Sequence, residues 1–303
     1  MCRNDLLKLL ALSLKKVFFY FYRTPNNNLY KDWVVIIVNQ NKIYSSVQIK
    51  NSIIEQLQNA GCVFAEEEAQ LLISEADTLE ELLTMVKLRA TGSPLEYILG
   101  WAEFYGNRIA VVPGVFVPRR RTEFLVQKAI DLSVPGVKVV DLCCGSGAVG
   151  VAISKAVGLV SLYAVDIDPI AVQCAKCNVS KLGGLVYEGD LYNPLPPHLF
   201  GNVDIIVANA PYVPTEAIKS LPQEARLYEP KVALDGGNDG NDIHKRVAEN
   251  ASFWLAPGGH LLVETSKIQA PQTVEIFNQY GLIARLIHNN ELDSSIVIGT
   301  KPS

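Results

Sequence analysis

The sequence predicts an α/β protein: a doubly wound, mostly parallel seven-stranded sheet preceded by a small helical domain. Three observations carry this. From Val137 onward, short apolar strands alternate with helix-period segments, the signature of βαβ units. Between Ile49 and Arg89 the apolar residues recur at helical spacing instead, with Ile53, Ile54 and Leu57 on one face. At the C-terminal end two strands are separated only by Asn289-Asn290-Glu291, too short for a parallel crossover, so the final strand should run antiparallel to its neighbour.

The elements follow in order. Residues 1–45 read as an extension outside the recognisable domains, 46–92 as a small helical domain, 93–122 as a hairpin linker and 123–303 as the main domain. In the helical domain, Glu66–Ala76 and Thr78–Leu88 give two short helices after the first, with Thr78 and Glu81 forming a capping box. Thr91-Gly92-Ser93-Pro94 ends it. Glu103–Val117 alternates around Gly106-Asn107 and Pro113-Gly114 and reads as a hairpin or two short strands. Pro118-Arg119-Arg120-Arg121-Thr122 leads into a helix from Glu123 to Leu132. Strands are then expected at Val137–Leu142, Leu159–Val165, Leu185–Tyr187, Val203–Ala208, His260–Val263, Gly281–Ile287 and Ser294–Thr300. Asp168-Pro169 marks a helix start, Asp168 as N-cap and Pro169 at the first helical position. Helices are also expected at Asp242–Leu255 and Gln272–Tyr280.

Composition narrows the function classes. Hydrophobic residues make up 49% and charged residues 19% of the 303, fitting a globular enzyme with a large core. The net charge of −4 gives no broad attraction to nucleic acid. Residues 1–45 carry seven Lys/Arg against two Asp/Glu, a net +5 that leaves −9 for the rest. Within them, Leu6–Leu12 and the aromatic run Phe18–Tyr22 invite a signal-peptide reading. Lys15 and Lys16 interrupt the apolar run and no small-residue cleavage site follows closely, so export is not expected. Cys143-Cys144 and Cys174-Ala175-Lys176-Cys177 read as small apolar residues in a reducing cytoplasm, since the CxxC lies inside an amphipathic helix.

Three strand ends carry the chemistry. Gly145-Ser146-Gly147-Ala148-Val149-Gly150 fits GxGxxG directly after a strand and opens a helix, so the backbone can turn tightly and approach a ligand. Asp166 stands 21 residues after Gly145 at the next strand tip, placed to accept from the two ribose hydroxyls of an adenosine. Asp190 closes the third strand and can accept from an adenine amino group, with Leu191 against the ring. GxGxxG alone does not separate NAD from other adenosine cofactors. Asn209-Ala210-Pro211-Tyr212, at the end of the fourth strand, does: a side-chain carbonyl, a backbone carbonyl and a flat ring can hold a planar NH2 group. The motif has no histidine to serve hydride chemistry.

Together, Val139–Gly147, Ala164-Val165-Asp166 and Asn209-Ala210-Pro211-Tyr212 resemble a class I S-adenosylmethionine-dependent methyltransferase. Within that class the chain is similar to the family that methylates the glutamine amide of peptide chain release factors. The likeness extends through Pro94–Gly100, Glu103–Gly106, Val117-Pro118-Arg119, Thr122-Glu123, Tyr228-Glu229-Pro230 and Ala233–Gly237, and spans about residues 47–303. It implies a Rossmann-like sheet and a cytoplasmic enzyme. It implies S-adenosylmethionine as donor, S-adenosylhomocysteine as product, no metal, and a release factor as protein partner of a monomer. It assigns the substrate amide to Asn209, Ala210, Pro211 and Tyr212. The donor falls to Asp141, Cys143, Cys144, Gly145, Ser146, Gly147, Asp166, Asp190, Leu191 and Asn209, with the helical domain serving substrate recognition. No membrane association or extensive nucleic-acid binding is expected.

The sequence departs from that pattern at three places. Cys143 stands where the family has glycine, so its backbone must keep φ negative or accept strain. Ala210 stands where the family has proline, keeping the carbonyl but losing the ring's lock on φ. Arg120-Arg121 replace a proline and an acidic residue. Two other classes fit parts of the pattern: a methyltransferase for amino groups of nucleic-acid bases, for which Arg119–Arg121 offer a local contact, and a non-catalytic or NAD-dependent adenosine-binding protein.

Overall fold

The computed structural model describes residues 17–23, 33–39, 42–44 and 46–303. The chain divides into two compact units, Met1–Leu95 and Glu96–Ser303. The Leu6–Leu12 run and Lys15-Lys16 lie outside the described residues.

In the first unit, β1 (Val17–Arg23) pairs antiparallel with β2 (Trp33–Asn39), which pairs antiparallel with β3 (Lys42–Tyr44). These strands differ from the expected extension without recognisable elements: the aromatic run and Val34–Val38 have high strand propensity but lack the apolar–polar alternation that marks a half-buried strand. Helices α1 (Ser46–Asn59), α2 (Ala65–Glu75) and α3 (Leu79–Ala90) follow. Thr78 caps α3 by accepting from the Glu81 N–H at 3.1 Å. Glu81 reaches back to the Asp77 N–H at 2.8 Å, one residue before the reciprocal partner a capping box requires. A bidentate Arg89–Glu68 pair, at 2.6 and 2.9 Å, joins α3 to α2 over the buried Leu57, Leu72 and Val86.

After the short α4 (Leu95–Leu99), the second unit opens with a hairpin of β4 (Trp101–Phe104) and β5 (Asn107–Ala110). Its two-residue turn puts Tyr105 and Gly106 at φ 50° and 67°, the twist a tight hairpin needs. Glu123 accepts from the strained Tyr105 N–H at 2.9 Å. The expected alternation to Val117 does not continue: beyond Ala110 the chain leaves the ladder, and Tyr97 Oη holds the Val115 carbonyl at 2.7 Å.

The main sheet uses β6 (Val137–Leu142), β7 (Val160–Asp166), β8 (Leu185–Glu188), β9 (Val203–Ala208), β10 (Leu255–Thr265), β11 (Ile283–Asn289) and β12 (Ser294–Thr300) in the order β11-β12-β10-β9-β6-β7-β8. As expected, β12 runs antiparallel to both its neighbours. Strand β10 is longer than expected because Leu255 already pairs with Val203. The register then shifts before His260, which absorbs Pro257-Gly258-Gly259 as an irregularity within the strand. Asp204 interrupts an apolar strand because its carboxylate accepts the Lys138 N–H at 2.8 Å.

The central strands β6 and β9 are buried on both faces, as parallel strands between helices must be, while the edge strands β8 and β11 are largely open to solvent. Alternate residues serve two cores. Val139, Ile205, Val207, Leu262, Ile296 and Ile298 face α5 (Glu123–Asp131), α6 (Ala148–Val157) and α7 (Pro169–Val179). Val140, Leu142, Ile206, Ala208, Leu261, Val263 and Val297 face α9 (Asp242–Trp254) and α10 (Ala270–Gln279), which follow the short α8 (Gln223–Tyr228). Phe277 is fully buried in the second core and lies where a side chain on Gly299 would clash. Phe277→Ala should destabilise the protein by about 3–5 kcal/mol, read as a lower melting temperature and denaturant midpoint.

Candidate functional site

The parallel register of β6 and β9 sets Leu142 beside Ala208, so the turn after one strand adjoins the motif after the other. A cavity of about 340 Å³ opens there. Asp141, Cys143, Cys144, Gly145, Ser146, Asp166, Asp190, Leu191, Asn209, Ala210, Pro211 and Tyr212 all line it. Gly147 does not. It adopts φ 77°, and an added Cβ would meet Val179 Cγ2 at 2.6 Å, so its conformation and its packing against α7 both demand glycine. At Gly145, φ 55°, an added Cβ would meet no protein atom within 4 Å: the space it would enter adjoins the cavity.

A buried carboxylate, Asp141, and a half-buried one, Asp166, hold the glycine turn. Asp166 accepts the Gly145 N–H at 2.8 Å and the Asp168 N–H at 2.9 Å, one on each oxygen, leaving further lone pairs for a ligand. Asp141 accepts the Gly150 N–H at 2.9 Å in the first turn of α6, where the helix field favours an anion. Burial pushes its pKa up to about 7, with the Asp166 charge adding to the effect and the Gly150 bond opposing it. Cys143 takes the strained option, at φ 53°, a conformation that costs an L-residue about 1–2 kcal/mol. Burial pushes the Cys143 and Cys144 thiols up, so both stay protonated near neutral pH. Cys174 is buried and donates to the Ala110 carbonyl while Cys177 is exposed, so the two CxxC thiols occupy different environments.

Asp190 forms an ion pair with Arg246, a residue of α9 with no local pattern that announces its place here. Leu191, at φ 48°, packs beside the second core.

At the other end, Asn209 Nδ2 donates to Thr122 Oγ1 at 3.2 Å. Tyr212 Oη donates to Glu264 Oε1 at 3.1 Å, and Arg121 Nε reaches the same oxygen at 3.2 Å. Glu264 is 1% exposed, and burial raises its pKa. The Tyr212 hydroxyl is raised too, by burial first and by Glu264 second. The His244 ring lies 6.3 Å from that of Tyr212, so a histidine does stand beside the motif. Burial pulls its pKa down to about 4, leaving it neutral and weakly basic.

The segment Asp235–Gly240 braces the motif from behind. Val213 N–H donates to the Leu234 carbonyl, and Gly236 N–H to the Val213 carbonyl. Side chains on Gly236 or Gly240 would strike the backbone of Pro211 and Tyr212. Gln269 donates to the Tyr212 carbonyl at 2.9 Å. Arg119 pairs with the buried Glu229 at 2.5 Å, tying the Val117 loop to the start of this region.

The two glycines should separate by measurement. Gly147→Ala should lower the melting temperature markedly, by strain plus collision with Val179, at about 2–4 kcal/mol. Gly145→Ala should cost only the strain of about 1–2 kcal/mol, so its melting temperature should fall less than that of Gly147→Ala, as scanning calorimetry would show.

Residues 107–226 match the Methyltransferase small domain. The chain is 38% identical over 199 residues to the release factor glutamine methyltransferase of Geobacter sulfurreducens, covering 65% of this chain and 69% of that protein. It is 34% identical over 273 residues to the Bifidobacterium longum protein of the same description, covering 78% and 92%. A methyltransferase from Pyrococcus furiosus shares the fold at a TM-score of 0.51 and 16% identity, over 66% of this chain and 91% of that one. The chain belongs to the release factor glutamine methyltransferase family.

Proposed function

We propose that this chain transfers a methyl group from S-adenosylmethionine to the side-chain amide nitrogen of a glutamine in a peptide chain release factor. The observation that carries this is the orientation of Asn209: its NH2 is committed to Thr122, which leaves its carbonyl oxygen as the acceptor offered to the cavity.

The residues present fit the donor. Gly145 leaves room beside the turn, Asp166 keeps lone pairs for ribose hydroxyls, and Asp141 supplies negative charge next to a sulfonium and an ammonium group. Asp190 and Leu191 line the adenine end, where Asp190 must share its carboxylate with Arg246. When bound, S-adenosylmethionine supplies an electrophilic methyl carbon. The chain's own contribution is positioning. An amide nitrogen is a poor nucleophile because its lone pair is delocalised. Hydrogen bonds from the substrate NH2 to Asn209 Oδ1 and the Ala210 carbonyl, with Pro211 fixing the backbone and Tyr212 against the amide plane, orient that lone pair. The N–C bond forms as the S–C bond breaks, and the amide then loses a proton to solvent. The helical segment 46–92 is assigned to contacts with the release factor. Val63 and Phe64, exposed between α1 and α2, support that role.

Labelled S-adenosylmethionine should methylate a release factor, and Gln→Ala in that factor's glycine-rich loop should abolish the signal. Labelling of RNA or DNA instead of protein would sink the proposal. Asn209→Ala should lower kcat by about 100-fold while donor affinity changes little.

Asp141 predicts a pH effect with a definite sign. Its folded pKa of about 7 lies above the ordinary carboxylate value, so the neutral form favours the ligand-free fold. Stability of the free protein should therefore fall as pH rises from about 4 through about 7. Donor affinity should rise over the same span, because the ionised carboxylate faces a cationic ligand. Titration calorimetry between about pH 5.5 and about pH 7.5 should show tightening that Asp141→Asn flattens.

A further inference from the structure

The two ends of the cavity differ in charge. Among the described residues, the donor end is lined by Asp141, Asp166, Asp168 and Asp190, with Arg246 as their one cation. At the opposite end, around Asn209–Val213, Arg121 is the only charged side chain among the described residues on the wall. The ion pairs there are also polarised in depth. The side chains of Glu229 and Glu264 are 2% and 1% exposed, while those of their partners Arg119 and Arg121 are 35% and 47% exposed. The acids lie inside and the guanidinium groups outside. Each pair is neutral as a whole, yet presents a cation to an approaching substrate. Arg120, between the two in sequence, is exposed and has no hydrogen-bond or ion-pair partner among the described residues.

We infer that Arg121 is a specificity-determining residue: it receives a carboxylate that the substrate protein carries within about two residues of the methylated glutamine. The inference rests on the reading of Asn209–Tyr212 as the slot for the glutamine amide.

Arg121 is held in place for this contact. Its Nε donates to Glu264 Oε1 at 3.2 Å. The Tyr212 hydroxyl donates to the same oxygen at 3.1 Å, and Glu264 Oε2 has no hydrogen-bond partner among the described residues. Glu264 therefore engages the guanidinium through Nε alone. The N–H groups on Nη1 and Nη2 have no acceptor among the described residues. That planar edge matches a carboxylate, which can accept from both NH2 groups at once. Because Glu264 already orders the long side chain, less freedom is lost when an acid docks on it. The guanidinium carbon lies 5.9 Å from the centre of the Tyr212 ring, the ring assigned to the amide plane. Two residues of extended chain span about 7 Å, so an acid near the glutamine reaches it. A phosphate would fit the same fork, but at net charge −4 the chain offers no broad positive surface to follow a nucleic-acid backbone. Arg121 stands where the family pattern has an acidic residue, which would repel the group that Arg121 attracts.

The test uses the full chain with a panel of release factors. In the panel each residue within about two positions of the glutamine is replaced in turn by Asp, Asn or Lys, and kcat/KM is read from labelled S-adenosylmethionine. At one of these positions Asp should be preferred to the isosteric Asn by about 10-fold, with Lys below Asn. The double variant Arg121→Met with Glu264→Gln removes the pair without stranding a buried charge, and should bring Asp and Asn within about twofold. Arg121→Lys keeps the charge but loses the fork, so it should retain a preference of only about threefold. A merely structural Arg121 would lower rates across the whole panel and leave the Asp-to-Asn ratio at its wild-type value. A wild-type chain that prefers Asp nowhere by more than about twofold, or a ratio unchanged in both variants, overturns the subsite and leaves the proposed function standing. Labelling of RNA in place of every release factor, or of neither, removes the proposed function and the subsite with it.

Discussion

The site depends on one pairing, the parallel register of β6 with β9 at the centre of the sheet. The strand order reverses there: β7 and β8 lie to one side of β6, while β10, β12 and β11 lie beyond β9. A reversal leaves the loops after β6 and β9 diverging, and the gap between them is the cavity. The pairing sets Asp141 opposite Val207 and Leu142 opposite Ala208. A slip of one residue would exchange the two faces, burying the Asp141 side chain in the wrong core and turning Asn209 out of the cavity. Nothing downstream, neither the glycine turn nor the Asn209–Tyr212 motif at the cavity wall, survives that change. The alternation of apolar residues between the two cores therefore specifies the site as well as the fold.

Charge is distributed in the cavity with the same economy. Asp141 and Asp166 line the cavity with backbone N–H groups as partners, and among the described residues no cationic side chain is bonded to either. They remain available to a ligand that carries its own positive charge. Glu264 and Glu229 are buried as well, but each is tied to an arginine, Arg121 and Arg119. Removing either arginine would strand a charge, whereas removing a ligand from beside Asp141 lets the carboxyl take up a proton. Burial thus does two jobs here. On the donor side it makes carboxylates responsive, and beneath Asn209 and Tyr212 it makes a carboxylate rigid.

Much of this was legible in the residues. The seven strands, the antiparallel β12, the Asp168 cap and the glycine turn followed from period, loop length and local backbone chemistry. The cavity-lining residues on β6, β7 and β9 could be read because each ends a strand, and strand ends in such sheets converge. Glu264, Arg246 and His244 could not. Glu264 ends the apolar run Leu261–Val263, where a carboxylate looks like the exit of a strand to solvent. Arg246 and His244 lie on a helix whose phase decides which face meets the site, and no local pattern announces it. Gly147 shows the converse. Its motif position suggested ligand approach, yet the neighbour that excludes a side chain is Val179, more than thirty residues along the chain. The strands at Val17–Arg23 and Trp33–Asn39 are not legible in this way, because unbroken aromatic and β-branched runs carry no period.

Ala210 remains the sharpest departure, and the structure shows why the clamp can tolerate it. A proline at that position would fix φ through its ring. Here the same restriction is imposed from both sides. Before Ala210, Asn209 is held by Thr122. After it, Pro211 keeps the preceding residue extended, Gln269 holds the Tyr212 carbonyl, and Val213 exchanges hydrogen bonds with Leu234 and Gly236. Ala210 itself is 1% exposed, so its methyl group has little room to move. The glycines at 236 and 240 make this possible, since any side chain there would push the brace away from the motif. Rigidity that the ring would have supplied covalently is supplied by a second segment packed at backbone distance. That moves the vulnerability of the motif from position 210 to Gly236 and Gly240, where a single methyl group would displace the backbone of Pro211 and Tyr212.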